Sequence, residues 1–232
     1  MSSPSSLARN RVFLVIPAGG RGDRMGGGVP KQFRDFGGRP LLKATIEAFL
    51  GPEMPPLAGI SLAVPKDRIQ EVQGWDFGLP TWIVEGGSSR QASVLAALSA
   101  LPDEPDATVL IHDAVRPFPP AGPILEAILA LETWDGAVLG EASTDTLKRV
   151  DAEGRILDTV PREKIFRAQT PQVARLKTWR RVFAWALKTK FSATDDVALL
   201  EALGGRVRMV ASPASNLKIT TQEDWDRATG CR

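Results

Sequence analysis

The sequence predicts an α/β protein: a mainly parallel sheet with helices on both faces, from which one β-hairpin protrudes. Three observations predict it. Short apolar runs alternate with segments of helical period through the first five strand-length runs. A glycine-dense stretch, residues 17–33, follows the first apolar run without a break. The alternation is then interrupted once, near Asp145, by two short and partly polar runs joined by a turn.

Taken in order, Val12-Phe13-Leu14-Val15-Ile16 is apolar throughout, as a strand covered on both faces must be. Residues 40–50 read as a helix with Leu41, Leu42, Ile46, Phe49 and Leu50 on one side. Residues 60–64 form a second strand, 66–73 a short helix and 81–84 a third strand. Residues 88–101 form a helix with Val94, Leu95, Leu98 and Leu101 inward. Residues 108–111 are a fourth strand, 121–131 a helix and 137–139 a fifth strand. Runs 145–150 and 155–160, joined by Asp151-Ala152-Glu153-Gly154, are a hairpin. An isolated hairpin of that polarity is marginal in water, so it needs a partner surface such as a second subunit. Residues 165–168 follow as a strand, 176–188 and 195–203 as helices, 206–210 as a strand and 222–228 as a closing helix.

The chain has 232 residues, with 43% apolar and 24% charged residues and a net charge of +2. That length supports a sizeable core, and that charge argues against nucleic acid and anionic membranes as partners. The expected organisation is a disordered tail over residues 1–10 and one domain over 11–232, with a β-arm at about 143–163. No apolar run is long enough to span a bilayer, and the Ser-rich start lacks a signal-peptide pattern. The single cysteine, Cys231, allows no internal disulfide and fits a reducing, cytoplasmic setting. One histidine, His112, excludes a His-based zinc site; at a strand end it reads as structural.

The glycine stretch is neither a Walker A loop, since no Gly-Lys-Ser/Thr closes it, nor a dinucleotide fingerprint, since Met25 stands where a third Gly belongs. It still suits phosphate: glycines let backbone N–H groups approach an anion, and Arg24 and Lys31 add full charges. Glu85-Gly86-Gly87-Ser88-Ser89-Arg90-Gln91-Ala92-Ser93 ends one strand and opens a helix that Ser88 can cap. Asp113 and Arg116 follow another strand. Open α/β sheets bind ligands at the carboxyl ends of their strands, so these segments share one rim. Thr146, Arg162, Thr170, Thr194 and Lys218 add hydroxyl and basic groups further along. The residues alone indicate nucleotide or phosphate chemistry and go no further.

Together the segments resemble the 2-C-methyl-D-erythritol 4-phosphate cytidylyltransferase family, from about Val12 to Trp225. The resemblance is carried by Pro17-Ala18-Gly19-Gly20 through Arg24-Met25 and Pro30-Lys31-Gln32, by Gly86 to Val94, and by Val109-Leu110-Ile111-His112-Asp113-Ala114-Val115-Arg116-Pro117. Asp145 to Lys148, Val160-Pro161-Arg162, Gln169 to Gln172, Thr194-Asp195-Asp196 and Asn216 to Thr220 follow in the family's order.

The resemblance implies a Rossmann-like sheet, a dimerisation arm, and a reaction in which CTP and 2-C-methyl-D-erythritol 4-phosphate give the CDP-linked alcohol and pyrophosphate. It implies that Arg24, Lys31 and Lys218 are catalytic, with Mg2+ held mainly by the CTP phosphates and Asp113 as its candidate protein ligand. Ala18, Gly19, Gly20, Gly87, Ser88, Ser93, Asp113 and Ala114 would contact the nucleotide. Arg116, Thr146, Arg162, Thr170 and Thr194 would surround the methylerythritol phosphate, with Thr146 and Arg162 serving the neighbouring subunit's site in a C2 homodimer. Two departures stand out: the family often has Ala at the place of Gly19 and an acidic residue at that of Ser88. Rival readings are a ribitol-5-phosphate cytidylyltransferase, a sugar-1-phosphate nucleotidylyltransferase using UTP or dTTP, and a nucleotide-binding module without catalysis.

Overall fold

The computed structural model describes residues 11–20 and 28–230. Strands β1 (Val12–Pro17), β2 (Leu57–Val64), β3 (Thr81–Glu85), β4 (Thr108–Ile111), β5 (Gly136–Ala142), β8 (Phe166–Arg175) and β9 (Val207–Ala211) form one sheet in the order β3-β2-β1-β4-β8-β5-β9. All are parallel to β1 except β8, which runs antiparallel between β4 and β5. Strands β6 (Leu147–Val150) and β7 (Ile156–Val160) form a separate antiparallel hairpin. The helices are α1 (Leu41–Ala48), α2 (Ile69–Gln73), α3 (Arg90–Ala100), α4 (Ala121–Ala130), α5 (Leu176–Thr189), α6 (Val197–Ala202) and α7 (Gln222–Thr229).

Side chains alternate across β1, and its two faces feed two cores. Val12, Leu14 and Ile16 pack with Leu42 and Ile46 of α1 and Ile124 and Ile128 of α4. Phe13 and Val15 pack with Val94 and Leu98 of α3 and Trp179 and Phe183 of α5. A strand buried on both sides has to be apolar at every position, which is why the first run reads without alternation. The chain moves from β1 out to β2 and β3, then returns to place β4 on β1's other side. That reversal opens a crevice beyond the carboxyl ends of β1 and β4.

Several expectations are corrected. β2 starts at Leu57 because Gly59, which looks like a break, is a close approach: a Cβ there would lie 2.6 Å from the Trp82 ring. β8 extends far beyond residue 168. Its ladder pairs Gln172 with Val138 and then Ala168 with Gly140, so residues 169–171 bulge out and Pro171 gives up no ladder bond. Leu50, expected on the inner face of α1, lies past the helix end and is exposed. The cap of α3 is Ser89, whose hydroxyl accepts from the Ala92 N–H at 3.0 Å; Ser88 is one residue too early.

The hairpin is held from within. Asp151 accepts from the N–H groups of Glu153 and Arg155, and Gly154 takes φ +83°, which only glycine adopts freely. Val150, Ile156 and Leu157 on it are half exposed or more.

Candidate active site

Three loops meet at the carboxyl rim. The loop after β1 begins at Ala18, whose N–H donates to the Ala63 carbonyl. The Gln32 side chain, buried in the turn Lys31–Phe33, donates to the carbonyls of Ala18 (2.7 Å) and Gly20 (2.6 Å). This clamp keeps Lys31 beside the glycine loop. The loop after β3 presses against it: a Cβ on Gly86 would lie 2.7 Å from the Cα of Gly19, and one on Gly19 would lie 3.0 Å from the Ser93 hydroxyl. Glycine is required here for close approach of two backbones. Ser93 is buried; its hydroxyl accepts from the Gly87 N–H at 3.1 Å and donates to the Ser89 carbonyl at 2.9 Å. Gly87 and Ser88 are exposed at the loop's tip.

The loop after β4 carries the charge. Asp113 is buried, yet its carboxylate meets three cations: Arg90 Nε at 3.2 Å on Oδ1, and Arg116 Nε at 3.3 Å and Lys218 Nζ at 3.0 Å on Oδ2. Burial pushes the Asp113 carboxyl up, but Arg90, Lys218 and Arg116 more than reverse this and hold it well below the usual carboxylate range. Arg90 reaches on to Asp196, its Nη1 donating to Oδ1 at 2.8 Å. Burial opposes the charge on Arg90, and Asp196 and Asp113 together raise its pKa well above the ordinary value. Burial pushes the Asp196 carboxyl up to about 6, with Arg90 only partly offsetting it.

His112 is fully buried beneath Asp113. Its Nε2 lies 3.0 Å from the Arg116 carbonyl, which only accepts, so Nε2 carries the proton. Nδ1 then accepts from the Thr170 hydroxyl at 3.2 Å, and that hydroxyl accepts from the Asp113 N–H at 3.0 Å. Burial pushes the imidazole down to about 4, so it is neutral near pH 7 and organises the loop. The segment bearing Lys218 is tied to the same loop. Arg116 Nη1 donates to the Asn216 carbonyl at 2.7 Å, the Ile219 N–H donates to the Val115 carbonyl, and Asn216 Nδ2 donates to Gln169 and Thr170. Lys218 itself remains partly exposed at the mouth of a cleft of about 320 Å³, lined by Arg116, Glu141, Arg167, Gln169, Lys218 and Arg227 among others.

The structure thus brings together Ala18, Gly19, Gly20, Gly87, Ser93, Asp113, Ala114, Arg116, Thr170 and Lys218, with Lys31 joined through the Gln32 clamp. Arg24 lies outside the described residues. Thr194 is exposed two residues before Asp196. Thr146 and Arg162 lie on the hairpin and at its base; Arg162 donates to the Thr144 carbonyl, and among the described residues neither bonds to the Asp113 cluster. The sequence reading assigned no role to Gln32, Arg90, Gln172, Asp196 or Asn216. The available signal was a polar side chain inside an otherwise apolar strand end or next to a glycine loop, which is where a buried hydrogen-bond hub has to sit.

Asp113 does not suit a resident metal ion, because both its oxygens are engaged by cations. Among the described residues no three His, Cys, Asp or Glu side chains converge on a metal position. No helix among them is long and apolar enough to cross a membrane.

The family model described as 2-C-methyl-D-erythritol 4-phosphate cytidylyltransferase matches residues 12–230. The chain is similar to the enzyme of that name from Acidobacterium capsulatum, with 39% identity covering 94% of this chain and 95% of the relative. It is similar to that from Salinibacter ruber, with 40% identity covering 92% and 90%. The crystal structure of the Thermus thermophilus enzyme superimposes with a TM-score of 0.76 at 34% identity, covering 95% of this chain and 98% of that one. On this match and these relatives, the chain belongs to the 2-C-methyl-D-erythritol 4-phosphate cytidylyltransferase family.

Proposed function

We propose that this protein transfers the cytidylyl group of CTP to 2-C-methyl-D-erythritol 4-phosphate and releases pyrophosphate. The observation that carries this reading is the convergence of Arg116 and Lys218 on Asp113 at the rim, beside a cleft open to a second anion. Both substrates are anions, and each must approach the other. An oxygen of the alcohol phosphate attacks the α-phosphorus of CTP, the new P–O bond forms, and the bond to the pyrophosphate oxygen breaks. The nucleophile is already ionised, so the chain supplies no general base and no covalent intermediate. Its task is to hold positive groups where charge shifts during transfer.

In this reading Lys31 and Arg24 grip the triphosphate and Lys218 serves the transferring phosphoryl group. The backbone of Ala18, Gly19 and Gly20 follows the phosphates; Gly87 and Ser88 meet the cytosine, and Asp113 and Ala114 flank the ribose. Ser93 and Thr170 act by holding their loops, since the donor of each hydroxyl is committed to a protein acceptor. Arg116 and Thr194 face the alcohol phosphate. A divalent cation such as Mg2+ enters as part of the metal–CTP substrate. A second copy of the chain completes each site: the exposed apolar hairpin residues need cover, and a C2 pair brings Thr146 and Arg162 of one subunit to the other's cleft.

The test is pyrophosphate release by the purified protein with CTP, UTP, dTTP or ATP against methylerythritol phosphate, ribitol 5-phosphate or a sugar 1-phosphate. Release with CTP and methylerythritol phosphate is expected. Preference for ribitol 5-phosphate or for a different base overturns the substrate assignment, and no release with any pair overturns catalysis.

A further inference from the structure

Behind Asp113 lies a charged chain that nucleotide transfer does not itself require. Arg90, at the first position of α3, links two carboxylates that come from different parts of the fold: Asp113 after β4 and Asp196 at the start of α6. Asp196 is 2% exposed, and its second oxygen, Oδ2, is buried without a hydrogen-bond partner among the described residues. Gln172 of β8 fixes the backbone around it, accepting from the N–H groups of Asp196 (2.9 Å) and Val197 (2.8 Å) while its amide donates to Asp195 at 2.9 Å. A buried carboxylate with one oxygen unsatisfied is unfavourable for stability. Among the described residues the one cation it meets is Arg90, whose Nε faces Asp113.

We propose that Arg90 is a positioning residue for phosphoryl transfer, anchored by Asp196, and that it sets how firmly Asp113 holds Lys218. This rests on the cytidylyltransferase reading and deepens it. Asp113 divides its charge among Arg90, Arg116 and Lys218. Arg116 is buried and also bonded to the Asn216 carbonyl, whereas Lys218 is partly exposed and reaches the cleft. Lys218 is therefore the partner that can leave Asp113 for a substrate phosphate. With Arg90 in place, Asp113 keeps two guanidinium partners after Lys218 departs: buried Arg116, and half-buried Arg90, which Asp196 holds from its other side. Without Arg90 the carboxylate is short of positive charge and retains the ammonium. The bidentate reach matters: Nε serves one carboxylate and Nη1 the other, a geometry a lysine ammonium does not reproduce. Asp196 supplies the fixed end, so both residues act on one step.

The kinetic consequence is specific. In the proposed reading the glycine loop and Lys31 grip the triphosphate, while Arg90 touches the nucleotide only through Asp113 beside the ribose, so KM for CTP rises by no more than about threefold, well below the loss in kcat. Withholding Lys218 from the transition state lowers kcat by about 10- to 100-fold, the scale of a misplaced catalytic group. The experiment compares wild type, Arg90→Gln, Arg90→Lys, Asp196→Asn and the Arg90→Gln/Asp196→Asn double variant. It reads kcat and KM for both substrates at a temperature well below each variant's unfolding midpoint. The expected result is a kcat loss for Arg90→Gln, a smaller loss for Asp196→Asn, incomplete recovery by Arg90→Lys, and a double variant no worse than Arg90→Gln alone, since both changes break the same link. Wild-type kcat in a folded Arg90→Gln overturns the inference, as do losses that multiply in the double variant. If Arg90→Gln does not fold, Arg90→Lys decides: wild-type kcat in it overturns the inference, and a kcat loss that exceeds the rise in KM for CTP supports it. Failure of the wild type itself with CTP and methylerythritol phosphate overturns the functional reading instead, so the two failures are distinct.

Discussion

Replacing Gln32 with leucine tests whether the glycine loop is held by its clamp. Gln32 Nε2 donates to two carbonyls of that loop, at 2.7 Å to Ala18 and 2.6 Å to Gly20, from a buried position. Leucine is close in volume, so little cavity is created and the lost hydrogen bonds dominate. The Ala18 residue is buried, so its carbonyl loses its donor without full access to water; that costs about 1–3 kcal/mol. Gly20 is exposed and water replaces its donor, which keeps the total near 2 kcal/mol. For a chain of this size that corresponds to a fall of about 4–8 °C in Tm. The functional effect is selective. The loop backbone faces the nucleotide in the proposed reading, so KM for CTP rises about tenfold, equivalent to about 1.4 kcal/mol, while KM for the alcohol phosphate stays constant. Urea denaturation reads the first effect and pyrophosphate release, titrating each substrate in turn, reads the second. An unchanged urea midpoint, or both KM values rising together, refutes the clamp.

Three other outcomes follow from the same geometry. Asp196 is raised in the fold to about 6 from an unfolded value near 3.9, so its contribution is fully present below about pH 4 and fades as pH rises through 6; denaturation from pH 4 to 7.5 should show wild type losing about 2–3 kcal/mol relative to Asp196→Asn, and parallel curves would contradict it. Asp113 stays ionised through that window and does not mask the effect. Gly86→Ala places a methyl 2.7 Å from the Gly19 backbone, which must shift, so stability falls by about 1–3 kcal/mol and CTP binding weakens, read by thermal unfolding and nucleotide titration. For the shared site, Arg162→Ala and Lys31→Ala each abolish most turnover, and reassembled mixtures regain about a quarter of wild-type activity because half the dimers hold one intact site; mixtures that recover nothing count against it.

The framework was legible where one physical signal dominated. Strands β1, β2 and β4 lie in or beside apolar runs because both their faces are covered, and the hairpin turn was marked by Asp151 and Gly154 in their usual roles. β8 was not legible beyond residue 168. Thr170-Pro171-Gln172 reads as a break, and only the bulge against β5 and the antiparallel slot between β4 and β5 explain a proline there. The site was legible as a set of loops on one rim, since glycine, Asp and Arg follow strand ends in the chain itself. What linked them was hidden. Gln32, Arg90, Gln172 and Asp196 act on partners 12 to 106 residues away, and no local pattern encodes such a distance. The cap of α3 was displaced by a single residue for a related reason: Ser88 and Ser89 are equivalent as sequence, and loop geometry selects between them.

The arrangement at Asp113 also explains why this rim needs its own anion. Arg90, Arg116 and Lys218 set side by side with no carboxylate between them would repel one another, and burial would disfavour each charge. Asp113 gathers them before any substrate arrives, and buried His112 and Thr170 hold its backbone in place without adding charge near pH 7. In the proposed reading an incoming phosphate competes with Asp113 for a cation already in position, so the protein reorganises little as the reaction begins. The competition is resolved by exposure. Arg116 is buried and bonded to the Asn216 carbonyl, Arg90 is tied at both ends, and Lys218 stands partly exposed at the cleft, held by Asp113. In the proposed reading the same carboxylate that assembles the cations leaves free to move the more exposed of the two that line the cleft.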